Sequence, residues 1–237
     1  MKKTLCLTVA AIGLATFKVS AATLYVSLES PNPVPPFTNW ATAATNIQHA
    51  VDAARAGDTV LVTNGVYSVG GRGVGAYPEY NPCRVAVTNA IRLESVNGPV
   101  VTTIVGSTVL TKEFGEEVGI DGRRCVYLGA NAVLSGFTLT NGIVVGWQGW
   151  QGGAGVFCEP SGVVTNCTLS GNEAWGKAGG EGGGAYGGNL YNCTLTGNVA
   201  DMGVEGIDGR GSAAFGSTLY NGDVPLPPFV TRKPAGG

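Results

Sequence analysis

The apolar positions of the chain change period once. Ile47, Ala50, Val51 and Ala54 fall at i, i+3, i+4 and i+7, one face of a helix. Thr45-Asn46-Ile47-Gln48 reads as a capping box, the Thr45 hydroxyl meeting the backbone three residues on while Gln48 reaches back. Gly57 suits the left-handed turn after a helix, so the pattern predicts a short helix near 45–56. From Asp58 onward the period is two. Asp58-Thr59-Val60-Leu61-Val62 alternates as a strand, Asn64-Gly65 makes a turn, and Val66-Tyr67 resumes the alternation.

Beyond this point the pattern repeats. VLSGFTLTNG (133–142), VVTNCTLSGN (163–172) and LYNCTLTGN (190–198) align on Leu139, Leu169 and Leu195, at spacings of 30 and 26 residues. AFGSTLYNG (214–222) matches AYGGNLYNC (185–193) at an offset of 29. Periods of this size mark solenoids, propellers or arrays. Phe137, Cys167 and Cys193 share a side with the leucines, and Thr138, Thr168 and Thr194 take the other. Short strands ended by Gly or Asn, at a period near 28, predict an all-β chain wound as a right-handed parallel β-helix. A WD-type propeller is the competing arrangement, but its period is longer, ~40–45 residues. Stacked strands expose their last layer, and the helix fits the job of covering it.

Composition supports this and adds a leader. Gly numbers 39 and Pro 12, only 13% of residues are charged and 44% are hydrophobic, which excludes wholesale disorder. Lys2 and Lys3 precede an apolar run from Leu5 to Phe17, followed by the small residues Ser20-Ala21-Ala22. That order is a secretory signal over 1–21, too short to span a bilayer. The expected organisation is therefore a leader, one β-helix over 22–222, and a Pro-rich tail over 223–237. After Tyr220-Asn221 the repeat calls for Cys-Thr-Leu, but the chain reads Gly-Asp-Val-Pro-Leu-Pro-Pro-Phe. Either that tail covers the last coil or the chain is cut short of further coils.

Losing Lys2, Lys3 and Lys18 leaves 11 basic against 16 acidic groups, a net charge of −5. With no basic cluster, nucleic acid and anionic membranes are poor partners. Five cysteines remain, Cys83, Cys125, Cys158, Cys167 and Cys193, none in the close spacing of a zinc site. His49 is the only histidine and lies on the helix, so neither a His/Cys metal site nor a Ser-His-Asp triad is supported. Cys167 and Cys193 are expected as stacked small hydrophobes. Asn141, Asn172 and Asn198, with Asn166 and Asn192, are candidates for amide ladders at the strand ends.

The segment NWATAATNIQHAVDAARAGDTVLVTNGVY (39–67) resembles the N-terminal cap and first strand of pectate-lyase-like right-handed β-helix proteins. AIRLESVNGPVVTTIVG (90–106) and RCVYLGANAVLSGFTLTNG (124–142) resemble the following coils of exported bacterial members. The resemblance covers about 23–222 and is specific for fold, weak for activity. It implies an exported protein, and a superfamily that holds lyases, polygalacturonases and proteins without known activity.

Three loop features could carry chemistry. Gly119-Ile120-Asp121-Gly122-Arg123 recurs as Gly206-Ile207-Asp208-Gly209-Arg210, and Glu181 holds a comparable place between them. Asp121, Glu181 and Asp208 lined up on one side would suit calcium, which takes six to eight oxygens. Lyases of this superfamily set calcium on a uronate carboxylate and use a basic side chain on the C5 proton, a role open here to Arg123 or Arg210. The plain alternative is turn chemistry, which Asp and Gly favour. Trp147 and Trp150, with Trp175 in the next coil's loop, could form a platform for sugar rings or fold onto the flank. Gly176–Gly188 lacks the Gly-Lys-Ser/Thr of a phosphate loop and aligns as a coil turn. The expectations are then loop-mediated binding of a polysaccharide, cell-surface glycan or other extracellular partner, a calcium-assisted polysaccharide lyase, or a structural stalk or adhesin segment.

Overall fold

The computed structural model describes residues 20–74, 82–107, 111–113, 116–118, 122–146, 152–176, 179–200 and 209–221. Residues 1–19 and 222–237, which take in most of the expected leader 1–21 and all of the expected tail 223–237, lie outside them. Successive passes of the chain visit the same sheets in the same order. One pass runs Arg124–Leu128, Val133–Ser135, Thr138–Thr140, Ile143–Gly146, and the next begins at Val156–Cys158 against Arg124–Leu128.

Sheet I has seven strands, Thr23–Val26, Thr59–Val62, Arg92–Ser95, Val133–Ser135, Val163–Thr165, Asn189–Tyr191 and Thr218–Tyr220. Sheet II has five, Gly65–Tyr67, Thr102–Val105, Thr138–Thr140, Thr168–Ser170 and Thr194–Thr196. Sheet III runs from Arg72–Gly73 through Pro82–Val87, Arg124–Leu128, Val156–Cys158 and Ala185–Tyr186 to Ala214–Phe215. Sheet IV is the short stack Ile143–Gly146, Glu173–Gly176 and Val199–Ala200. Every neighbouring pair in these sheets is parallel except Arg72–Gly73 with Pro82–Val87.

Parallel register turns each sequence position into a row. Leu24, Val60, Leu93, Leu134, Val164, Leu190 and Leu219 fill the inner row of sheet I, all buried. Tyr67, Ile104, Leu139, Leu169 and Leu195 do so in sheet II, which confirms the leucine alignment. Each such side chain gains about 1.5–3 kcal/mol from burial, so the stack is held by its rows. Phe137, Cys167 and Cys193 turn inward at the corner between sheets I and II, and all five described cysteines are buried. Just before that corner, Gly136, Asn166, Asn192 and Asn221 take φ of 80°, 52°, 51° and 50°, the left-handed bend that Gly and Asn tolerate.

The asparagines divide into two kinds. Asn141 sits at a bend with φ 53° and is exposed, in the position held by Gly171 and Gly197 in later coils. Asn172 and Asn198 lie one position further and are buried, so Asn141 does not belong to their ladder. Asn172 Nδ2 donates to Asn198 Oδ1 at 2.8 Å, and Asn172 Oδ1 accepts from Gly142 N at 2.8 Å. The two amides thus satisfy backbone groups that the bend takes out of the sheets.

The helix covers the first coils, with its start corrected. It spans Ile47–Ala53, and its N-cap is Asn46, whose Oδ1 accepts from Gln48 N at 2.8 Å, in place of the Thr45 box. Gln48 does not reach back. It is buried, its Oε1 accepting from Ala86 N at 2.7 Å and its Nε2 donating to Ala86 O at 3.3 Å. One amide therefore takes the place of a neighbouring strand beside Pro82–Val87. The helix ends at Ala54, whose backbone is extended, and Gly57 with φ 92° belongs to the next turn. His49 is exposed. No helix among the described residues is long and apolar enough to cross a membrane.

Candidate functional site

Outside sheet III the register builds a row that the Thr-Leu alignment did not single out. Tyr127, Phe157, Tyr186 and Phe215 are register partners in four successive coils, and all are half-buried. Tyr127 and Phe157 stack at 5.7 Å between centroids and 9° between planes. Phe157 and Tyr186 stack at 5.1 Å and 10°, and Tyr186 meets Phe215 at 5.7 Å and 32°. The first three rings thus stack on one another in the offset arrangement that aromatic pairs prefer.

The approach to each strand explains why the rings line up. QGGAGVF (151–157), GEGGGAY (180–186) and GRGSAAF (209–215) share one register, and Gly152, Glu181 and Arg210 form successive bridges. These limbs return against sheet IV over a small core of Val144, Ala154 and Ala174. A Cβ at Gly180 would fall 1.9 Å from the Ala174 carbonyl oxygen, so the limb packs backbone on backbone and only glycine fits there. The segment expected as a coil turn over Gly176–Gly188 therefore holds, among its described residues, this limb and the sheet III strand Ala185–Tyr186.

The charges around the row are mostly committed. Arg124 is 3% exposed; its Nε and Nη2 each donate at 2.9 Å, to Gly153 O and Gly152 O, and its guanidinium carbon lies 5.2 Å from the Phe157 ring centre. Carbonyl dipoles and the ring face thus hold this cation beneath the row. Tyr127 donates its hydroxyl to Glu159 Oε1 at 2.9 Å, and burial followed by that carboxylate pushes the phenol up to about 12. Burial and the charge of Glu181 also raise Tyr186. Glu159 and Glu181 therefore flank the rings.

The residues singled out in the sequence do not all meet. Arg210 Nη1 is 3.7 Å from Glu181 Oε1, an ion pair between adjacent coils. Arg210 occupies the register position opposite Glu181 that the loop comparison gave to Asp208, because spacing from the limb, and not from the leucine, sets that register. Asp121 and Asp208 themselves lie outside the described residues, as do Trp147 and Trp150. Arg123 stands three residues before Val126 and Arg210 four before Ala214, so the two Gly-Ile-Asp-Gly-Arg copies are out of step by one. Three coil steps of ~4.8 Å put these arginines' backbones roughly 14 Å apart. The Arg123 guanidinium lies against Gly71, toward the capped end. Trp175 is not in a loop: it is 44% exposed on the strand Glu173–Gly176 of sheet IV, and its Nε1 donates to Glu173 Oε2 at 3.2 Å. Among the described residues no three His, Cys, Asp or Glu side chains gather as a metal site. The aromatic row, at spacings of 30, 29 and 29, was readable as the last residue of Val-Phe, Ala-Tyr and Ala-Phe after each Gly-rich limb.

No family model matches the chain, and no curated protein matches it. A solved structure named rhamnogalacturonan lyase is similar with a TM-score of 0.46 and 15% identity, over 85% of this chain and 51% of that one. The chain thus spans about half the length of that protein.

Proposed function

We propose that the chain is an exported right-handed parallel β-helix that binds a polysaccharide lengthwise along the outer face of sheet III. The observation that carries this is the row Tyr127, Phe157, Tyr186 and Phe215, four half-buried rings held in step by the coils. The C–H face of a pyranose packs on such a ring, and a sugar residue in an extended chain is about as long as one coil step. The rings are fixed before any ligand arrives, so little side-chain ordering opposes binding. Four contacts of about 1 kcal/mol each correspond to a dissociation constant of about 1 mM, strengthened when a long polymer meets many copies. A calcium-assisted lyase or a stalk would each leave the row without a use.

Affinity electrophoresis tests the proposal. The protein is run through gels containing soluble β-glucan, xylan, mannan or pectate, with Phe157→Leu and Tyr186→Leu alongside. Retardation in at least one polymer, relieved in both variants, is expected. Free migration in every gel would overturn it. Ultraviolet absorbance of the same mixtures with calcium reports unsaturated uronate, and its growth would replace binding by lyase action.

A further inference from the structure

Sheet II carries a second regular array, on a face in which the rings of sheet III play no part. Its inner row of Ile104, Leu139, Leu169 and Leu195 is buried, so the residues on either side of each point outward. In parallel register these form two rows, Thr103, Thr138, Thr168 and Thr194 in one, Val105, Thr140, Ser170 and Thr196 in the other. We infer that this face adsorbs to ice, its ligand being the ordered water lattice at the surface of a growing crystal.

Spacing is the first argument. Neighbouring coils repeat each row at ~4.8 Å, and residues two apart on a strand are about 6.6 Å apart. The hydroxyls and methyls therefore stand on a nearly rectangular grid. Oxygen atoms on a prism face of hexagonal ice repeat on a rectangular grid with sides of similar length.

Rigidity is the second. Threonine and valine are β-branched and restricted at χ1, and paired strands hold their backbones in register. An array set before contact loses little side-chain freedom on adsorption. Thr194 and Thr196 are exposed and the other six are half-buried by their own neighbours. Each hydroxyl can both donate and accept, as lattice water does. Thr138 spends its donor on Pro99 O at 2.7 Å and keeps its acceptor pairs.

Charge is the third. None of the eight residues is charged, in a chain with 16 acidic and 14 basic groups. The bends that border the strands are uncharged too, Gly136, Asn166 and Asn192 on one side and Asn141, Gly171 and Gly197 on the other. A charged group keeps its own hydration shell, which does not fit the lattice. An uncharged strip of hydroxyls and methyls is complementary to a neutral lattice of donors and acceptors.

The test cools the full chain around a single seed crystal in a nanolitre osmometer. The expected result is a gap between melting and freezing temperatures that grows with protein concentration, with a faceted seed. Thr168→Lys, at the centre of the grid, should lose most of the gap. Val163→Lys, on the outer face of sheet I, should keep it. Circular dichroism reports whether each variant is folded, and Thr196→Lys, at an exposed position, replaces Thr168→Lys if that variant is not. A parent chain that leaves the seed round and shows no gap overturns the inference. So does a gap that the folded sheet II variant retains in full.

Discussion

Asn172→Ala removes four side-chain bonds from the interior in one step. The Asn172 side chain accepts from Gly142 N at 2.8 Å and Cys125 Sγ at 3.5 Å, and donates to Leu139 O at 3.0 Å and Asn198 Oδ1 at 2.8 Å. The residue is 0% exposed, so water cannot replace these partners without opening the coil. Asn198 Oδ1 keeps the Asn172 backbone N–H at 3.1 Å, whereas Gly142 N and Leu139 O lose their amide partner. At about 1–3 kcal/mol for each buried group left unpaired, the loss is roughly 2–5 kcal/mol. For a chain of this size that lowers the thermal midpoint by roughly 5–15 °C. Asn141→Ala is the control: it is exposed and loses only the residue best suited to φ 53°, at about 1 kcal/mol. Circular dichroism melts of the two variants and the parent decide the matter. Equal shifts for both, or a shift of Asn172→Ala below about 2 °C, would refute the ladder argument.

Gln48→Leu should cost roughly 2–4 kcal/mol in urea unfolding, since it strands the Ala86 N–H and C=O that the amide now pairs. Gly180→Ala should destabilise more than Gly57→Ala, because its Cβ would meet the Ala174 carbonyl at 1.9 Å while that of Gly57 meets nothing within 4 Å. For Gly57→Ala only the strain of φ 92° remains, about 1–2 kcal/mol. Burial pushes the Cys125 and Cys158 thiols up to about 12 from an ordinary 9, so the folded state holds their protons. Their contribution is complete below pH 9 and is lost as pH climbs toward 12, which urea midpoints measured across that interval should record as a steady fall.

The core was legible because a stacked coil repeats its inner residues at a fixed register. Leu139, Leu169 and Leu195 alone place sheet II and the period. The aromatic row was harder to find because its strands shrink to Ala185–Tyr186 and Ala214–Phe215, set among glycines that hide the alternation. That Arg210 is the register partner of Glu181 was hidden for a related reason. Counting back from the leucine crosses turns of unequal length, while the limb before the aromatic keeps constant length from coil to coil. At the helix start, Thr45 and Asn46 are both cap residues by type. Gln48 decides between them, because its side chain is needed at Ala86, a contact 38 residues away that no local pattern contains.

Aromatic ring signals followed during titration with a soluble β-linked polysaccharide test the central claim most directly. The account predicts shifts of the Tyr127, Phe157, Tyr186 and Phe215 rings together, while Tyr25 and Trp40, packed edge to face at 4.4 Å on another part of the stack, stay in place. Shifts confined to Trp175, or no shift in the four-ring row at saturating polymer, would contradict it.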